Sequence, residues 1–113
     1  MAKGRHLGEF EQLVLLALLR LGEEGYGMTV RREVEETAKR KATLGSVYGT
    51  LDRLEEKGLV ASWRADPDPL RGGHPRRYFQ VTAEGELALR RSQRMMERMW
   101  DGVDLSADEE SKP

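Results

Sequence analysis

The chain has 113 residues, a length that favours one domain with one modest core. Charged residues make up 35% and hydrophobic residues 38%, a mixture typical of a helix-rich domain with a heavily solvated surface. No apolar run approaches the roughly 20 residues that cross a membrane, and no signal-peptide core follows the N-terminus, so we expect a cytoplasmic protein. The absence of cysteine excludes disulfides, thiolate metal ligands and a thiol nucleophile.

The net charge of −1 at pH 7 conceals an uneven distribution along the chain. Residues 101–113 carry five acids and one lysine, which leaves 18 basic against 15 acidic residues in 1–100. The bases also cluster, at Lys39–Lys41 and at Arg71–Arg77. Local clusters matter more for contact with phosphate than total charge does, although solvated faces with no partner have the same composition.

Periodic apolar residues predict three helices in the first half of the chain. The first spans 9–21 and has apolar residues on most of its sides. The glycines that follow it end the helical pattern. The second runs from about 28 to 39. The third, over 44–57, begins after Thr43, whose hydroxyl can cap the first turn, and ends at Gly58, which accepts positive φ.

Weak alternation over 59–64 and 77–81 predicts two strands that pair around a loop rich in glycine and proline. Thr82 can cap a last helix that runs to about Trp100. The predicted fold is therefore mainly α with a small β-hairpin, a winged helix-turn-helix domain plus a C-terminal dimerisation helix. The predicted divisions are 1–81 for the winged domain, 82–105 for the dimerisation helix and 106–113 for a disordered acidic tail.

The third helix is the predicted DNA-reading element because its two faces differ. Leucines and a valine anchor one side, while the predicted outward side carries Ser46, Gly49, Thr50, Arg53 and Lys57. Small residues allow close approach to a duplex, and Arg53 can contact guanine or phosphate. Tyr48 lies at the edge, where core packing and a phosphate contact are both open. An ordinary amphipathic helix shows the same pattern, but the basic residues before and after it favour DNA.

The predicted hairpin tip, residues 70–77, contains three arginines, two adjacent glycines and no acid. In a winged domain such a tip lies along the duplex, where arginine neutralises phosphates. A surface loop without a binding role is the alternative interpretation.

Three blocks of the sequence are distinctive: the apolar run 13–19 with Gly25-Tyr26-Gly27, the segment 45–60 (GSVYGTLDRLEEKGLV), and the segment 73–85 (GHPRRYFQVTAEG). Together they resemble the PadR family of transcriptional regulators. The middle block is the most specific, and the similarity extends over about residues 7–100. One departure is Gly49, because the family commonly has proline after the tyrosine of the third helix.

The resemblance implies a winged-helix homodimer that binds double-stranded DNA and usually represses transcription. In some members a small aromatic or cationic effector releases the DNA. By position, the implied DNA contacts are Ser46, Tyr48, Gly49, Thr50 and Arg53 in the third helix and Arg71, His74, Arg76 and Arg77 in the wing. The basic turn before the third helix adds Lys39 and Lys41 to this set.

An apolar stripe runs along the last predicted helix and continues into its C-terminal half. A small domain cannot easily cover that half. In a two-fold dimer the same helices would meet, and the predicted interface residues are Leu89, Met95, Met96, Met99 and Trp100. Met96 and Trp100 could also line a ligand pocket, because methionine adapts its shape and indole stacks on flat or cationic molecules. Plain dimer packing is the alternative.

Enzymatic activity is not expected. The two histidines, His6 and His74, are far apart in the sequence, and neither a glycine-rich phosphate loop nor a metal-ligand spacing is present. We expect no cofactor and no metal. The predicted function is a ligand-responsive repressor that binds specific DNA, and the alternative is a winged helix that contacts another protein through its basic wing.

Overall fold

The computed structural model describes residues 6–65 and 76–106. Four helices and two strands confirm the predicted order: α1 (Glu9–Leu21), α2 (Gly27–Thr37), α3 (Leu44–Glu56), β1 (Val60–Arg64), β2 (Arg77–Val81) and α4 (Ala83–Trp100). The strands form an antiparallel hairpin, and a 3₁₀ turn, Gly22–Glu24, follows α1. Of the predicted tail, only Ser106 lies within the described residues. In this part of the chain no helix combines the length and hydropathy needed to cross a membrane.

Helix α3 begins and ends as its sequence predicts. The Thr43 hydroxyl accepts a hydrogen bond from the Ser46 N–H at 3.0 Å, which satisfies a donor of the first turn. At the other end Gly58 has a φ of +79°, and the next N–H, that of Leu59, donates to the Leu54 carbonyl at 2.9 Å. This ending returns the chain to the core directly before β1.

One core lies between α1, α2, α3 and the inner face of the hairpin, and its fully buried members include Val14, Leu15, Val30, Val47, Leu51, Leu54 and Phe79. The loop before α2 joins this core by pairing with β2, because the Phe79 N–H donates to the Gly25 carbonyl at 2.9 Å. Glycine at position 25 permits this approach, since a Cβ there would lie 2.7 Å from the end of the Leu18 side chain and 3.2 Å from the Phe79 carbonyl oxygen, so both neighbours would have to shift. The sequence did not predict this third, short pairing.

Helix α1 is less enclosed than its apolar sequence predicts. Leu16 and Leu19 are roughly half-exposed, because the other helices and the hairpin cover only the side of α1 that carries the core residues. Both leucines line a groove between α1 and α4, which also contains Met96 and Trp100 and which we call the α1–α4 groove.

Helix α4 packs on the core through its first half only. Leu89 is 9% exposed and belongs to the core of its own chain, which corrects the expectation that it faces a second copy. It turns inward together with Ala88 and Ser92. The other predicted interface residues are exposed in the single chain, as their position along the helix indicates: Met95, Met96, Met99 and Trp100.

Candidate nucleic-acid interface

The first half of α3 and the turn before it form a groove, which we call the α3 groove. Its lining includes the exposed basic side chains Arg40, Lys41 and Arg53 together with small residues of α3. Five of the predicted contacts meet there: Lys41, Ser46, Gly49, Thr50 and Arg53. The other predicted contacts among the described residues, Lys39, Tyr48, Arg76 and Arg77, are not part of its lining.

Small residues keep the α3 groove open. Nothing lies within 4 Å of the position that a Cβ at Gly45 would occupy, and a Cβ at Gly49 would contact only the Arg53 Nη1 at 3.9 Å. Ser46 is exposed, and its hydroxyl donates to the Thr43 carbonyl at 2.9 Å, so it folds back on the helix rather than projecting from it. Another molecule can therefore approach the α3 backbone closely.

Thr50 is buried, with 1% of its surface exposed, so the prediction that it faces outward is wrong. Leu44 is only half-buried, whereas Val47 and Leu54 are buried. The buried side of α3 is therefore rotated away from the predicted one, and it includes Thr50. Arg53 remains exposed. Its Nη2 donates to the Thr50 hydroxyl at 3.1 Å, so Thr50 contributes to the groove from its buried side and orients the guanidinium there.

The turn between α2 and α3 brings cations to the groove. Lys39 has a φ of +58°, a left-handed conformation that turns the chain away from α2. Arg40, absent from the predicted contacts despite its place in the basic cluster, lines the groove with its guanidinium 4.7 Å from the centre of the Phe10 ring. The groove also holds an acid from α2, because the Glu35 carboxylate accepts the Ala42 N–H at 3.1 Å. The pattern of α3 alone contains no signal for that acid.

Arg77 is engaged within the chain, at the loop end of the hairpin. Its Nη1 donates to the Asp52 carboxylate at 3.1 Å, its Nη2 to the Glu55 carboxylate at 2.5 Å, and its Nε to the Ser62 hydroxyl at 3.3 Å. Because these bonds occupy its guanidinium, the geometry argues against the predicted phosphate contact. Arg77 instead fastens the hairpin to α3, a role that the sequence did not indicate because its partners lie on other elements.

Arg76 lies beside this contact with a different environment. Its guanidinium sits 4.0 Å from the centre of the Tyr26 ring, a cation–π arrangement that leaves the side chain partly exposed. A hydrogen bond with Tyr78 holds the pKa of Arg76 above its ordinary value, so the side chain keeps its charge. Arg71 and His74, the other predicted wing contacts, lie outside the described residues.

Tyr48 packs on the core, one of the two alternatives that its position at the edge of α3 left open. It is half-buried, and its ring fills the space beside Gly27 at the start of α2. A Cβ at Gly27 would lie 2.3 Å from that ring, so glycine is needed for α2 and α3 to pack at this distance.

Across 6–65 and 76–106, no three histidine, aspartate or glutamate side chains are grouped so that they could hold a metal ion.

The fold is similar to solved structures of two transcription regulators and of one further protein in complex with DNA. A PadR family transcriptional regulator from Eggerthella lenta is 30% identical, with a TM-score of 0.65 over 84% of this chain and 82% of the other. A PadR-like transcription factor from Bacteroides fragilis has a TM-score of 0.69 at 22% identity, over 83% of this chain and 85% of the other. The Aeropyrum pernix Orc1 protein, solved in complex with DNA, has a TM-score of 0.60 at 26% identity, over 76% of this chain and 24% of its own. No curated protein sequence gives a significant match.

The profile of the transcriptional regulator PadR-like family matches residues 15–91. The matched segment starts within α1, contains α2, α3 and the hairpin, and ends within α4. It therefore includes all of the α3 groove except Phe10, and it includes Arg77, which fastens the hairpin to α3. Profile and fold agree: the chain belongs to the PadR-like family of transcriptional regulators.

Proposed function

We propose that the protein is a sequence-specific regulator that binds double-stranded DNA with α3 in the major groove. The observation that carries the proposal is the α3 groove, where small residues leave the helix accessible and Arg53 is held beside them by Thr50. A recognition helix needs this combination of close approach and a fixed donor. The similarity to Orc1, solved in complex with DNA, also supports DNA as the partner.

The basic residues around the groove have a separate role in the proposal. Lys39, Arg40 and Lys41 precede α3, and Arg76 directly precedes β2 at the loop end of the hairpin. Contacts with phosphates fix the position of a protein on the duplex without reading sequence. Arg71 and His74 are proposed wing contacts on the sequence alone.

The two kinds of contact predict different effects on DNA binding. Arg53→Ala should cost about 1–3 kcal/mol on the preferred site and relax the preference at one base pair. Arg76→Ala should weaken binding to all sequences about equally and lower the salt slope by about one ion. Mobility shift on the DNA upstream of the protein's own gene, at several salt concentrations, measures both effects. Arg91→Ala, an exposed substitution in α4, is the control and should leave both unchanged.

The alternative function is a winged helix that docks on an acidic protein. Such a module would retain no sequence preference for DNA, and Arg53→Ala and Arg76→Ala would change DNA retention no more than Arg91→Ala does. That result would remove the support for DNA reading.

We propose further that the protein acts as a homodimer in the cytoplasm. The exposed side chains of Met95, Met96, Met99 and Trp100 continue the buried stripe of α4, and the α1–α4 groove beside them is largely apolar. A second copy would cover this surface in a two-fold arrangement. A dimer would also supply the two reading helices that half-sites roughly 34 Å apart require.

The same surface supports a ligand-responsive repressor as the specific form of the regulator. Met96 and Trp100 both line the α1–α4 groove, where a small aromatic or cationic effector could stack on the indole. Effector binding would then release the protein from DNA. Loss of mobility shift on adding an effector, abolished by Trp100→Leu, tests this form; an unchanged response in that variant would assign Trp100 to dimer packing.

A further inference from the structure

We infer that a second groove, on the outer face of the hairpin, binds a planar organic cation. This hairpin groove is lined by the aromatic rings of Trp63 and Tyr78 and by the carboxylates of Glu23, Glu24 and Glu86. It is distinct from the α3 groove, and its proposed occupant contacts neither DNA nor Trp100. The inference does not depend on the proposed function.

The aromatic wall is the first observation that supports this site. Trp63 and Tyr78 are paired across the two strands, and their rings are stacked with centroids 5.9 Å apart and planes inclined by 17°. The adjacent pair of the hairpin, Ser62 and Phe79, faces the core. Trp63 faces the opposite side of the hairpin, and its indole is 45% exposed. A large ring held flat and exposed is not needed for the core, and it offers a face on which another planar ring can stack.

The charge of the groove selects the sign of the ligand. Glu23 and Glu24 lie on the 3₁₀ turn, and Glu86 lies in the first turn of α4, so two elements bring three carboxylates to one groove. Within the described ranges, none of the three forms an ion pair within 4 Å of a basic side chain. A cation that stacks on the indole would gain both the ring quadrupole and these charges, whereas an anion would be repelled.

The groove is held in place by the fold rather than by the ligand. The Thr29 hydroxyl donates to the Glu24 carbonyl at 2.6 Å, and the Gly25 carbonyl accepts the Phe79 N–H at 2.9 Å, so the acidic turn is tied to both α2 and β2. The groove has a volume of about 630 Å³, within the range typical of small-molecule sites. A ligand would therefore enter a largely preformed site.

The aromatic wall also connects the groove to the wing. The Tyr78 and Tyr26 rings pack edge to face, with centroids 5.5 Å apart. The Arg76 guanidinium lies over the Tyr26 ring in turn. Glu24 lies close enough to favour the charged form of Arg76. A bound cation at Trp63 thus sits at one end of a series of contacts that ends at a proposed phosphate contact.

The test uses the full-length protein labelled with ¹⁵N, and the 1-methylquinolinium ion as the probe. The two indole N–H signals, of Trp63 and Trp100, are assigned with Trp63→Phe and Trp100→Phe. We expect the probe to shift the Trp63 signal in a saturable manner, and Glu23→Gln/Glu24→Gln to weaken that binding at least about fivefold, from the loss of two exposed charge contacts. Glu36→Gln/Glu56→Gln changes the net charge equally and should not weaken it.

Three results would overturn the inference. The first is a shift of the Trp100 signal alone, which would place the probe in the α1–α4 groove. The second is an equal shift of the Trp63 signal with the anion 1-naphthalenesulfonate, which would show non-selective stacking. The third is equal affinity in the two double variants. Because DNA is absent from these titrations, failure here leaves the proposed function untouched, and failure of DNA binding leaves this site standing.

Discussion

Gly49 is the residue at which stability and the proposed function make opposite demands. It lies in the interior of α3, where glycine is about 1 kcal/mol less favourable than alanine. A Cβ there would meet no atom closer than 3.9 Å, so Gly49→Ala should raise the free energy of unfolding by about 0.5–1 kcal/mol in urea denaturation. The same methyl group would project into the α3 groove.

The second half of this prediction concerns DNA. If α3 approaches the duplex as closely as we propose, Gly49→Ala should weaken the mobility shift on the preferred site while the protein becomes more stable. Unchanged or tighter binding by the stabilised variant would show that the backbone at Gly49 does not approach the DNA. The opposite signs separate a lost contact from a damaged fold.

At the level of whole elements, one ion pair joins α1 to the end of α3. The Lys57 Nζ lies 2.8 Å from the Glu11 carboxylate, which also accepts the Gly8 N–H at 2.9 Å. Lys57 is therefore half-buried and not on the outward side that the α3 pattern predicted. Burial raises the pKa of Glu11, but the hydrogen bonds from Lys57 and Gly8 outweigh it and leave the pKa below its ordinary value.

A carboxyl group with a lowered pKa stabilises the fold above its unfolded-state pKa, and that stabilisation is lost as the pH falls through the folded-state pKa. We therefore expect Glu11→Gln to lower the free energy of unfolding by about 1–2 kcal/mol near pH 7, and by clearly less in acid. Urea denaturation of the wild-type protein and of Glu11→Gln, repeated from near pH 7 into acid, measures this difference in the free energy of unfolding. Glu9→Gln is the matched control, because that carboxylate is 86% exposed and 3.8 Å from Arg40. Identical pH profiles for the two variants would contradict the assignment.

Elements were predictable from the sequence where a local pattern determines them. Helical spacing gave both ends of α1, and the caps at Thr43 and Thr82 began α3 and α4 at the observed residues. Contacts between elements were not predictable in this way. The pairing of Gly25 with β2 and the engagement of Arg77 depend on which elements meet, and helical or strand periodicity contains no information about that.

The candidate site shows the same division between local and tertiary information. The small residues and Arg53 lie along the α3 groove, as the spacing within α3 predicts, and their contact with DNA stays a prediction. Thr50 was misplaced because its burial depends on how far α3 is rotated against the core, and a leucine at position 44 suggested a different rotation. Glu35 enters the groove from α2, so no pattern within α3 could indicate it.

Considered as a whole, residues 6–65 and 76–106 leave one apolar surface that none of them covers. Leu16 and Leu19 of α1 and Met96 and Trp100 of α4 border one groove, and Met99 beside them is 71% exposed. Burying such side chains is worth about 25 cal/mol for each Å² of apolar surface. A surface of this kind in a free monomer would favour association, and the proposed second copy would remove it from water.

Met96→Glu/Met99→Glu tests whether this surface holds two copies together. Both side chains lie beyond the part of α4 that packs on the core, so the variant should keep its helical circular dichroism and its cooperative unfolding. Two carboxylates per chain in the interface would be desolvated without partners, so sedimentation equilibrium should show a monomer. Met28→Glu changes a methionine of α2 that is exposed to the same extent as Met96, and this variant should remain a dimer. A monomer with an intact α3 can read only one half-site, so its affinity for DNA should fall steeply. A Met96→Glu/Met99→Glu protein that stayed dimeric would instead show that the two copies meet elsewhere.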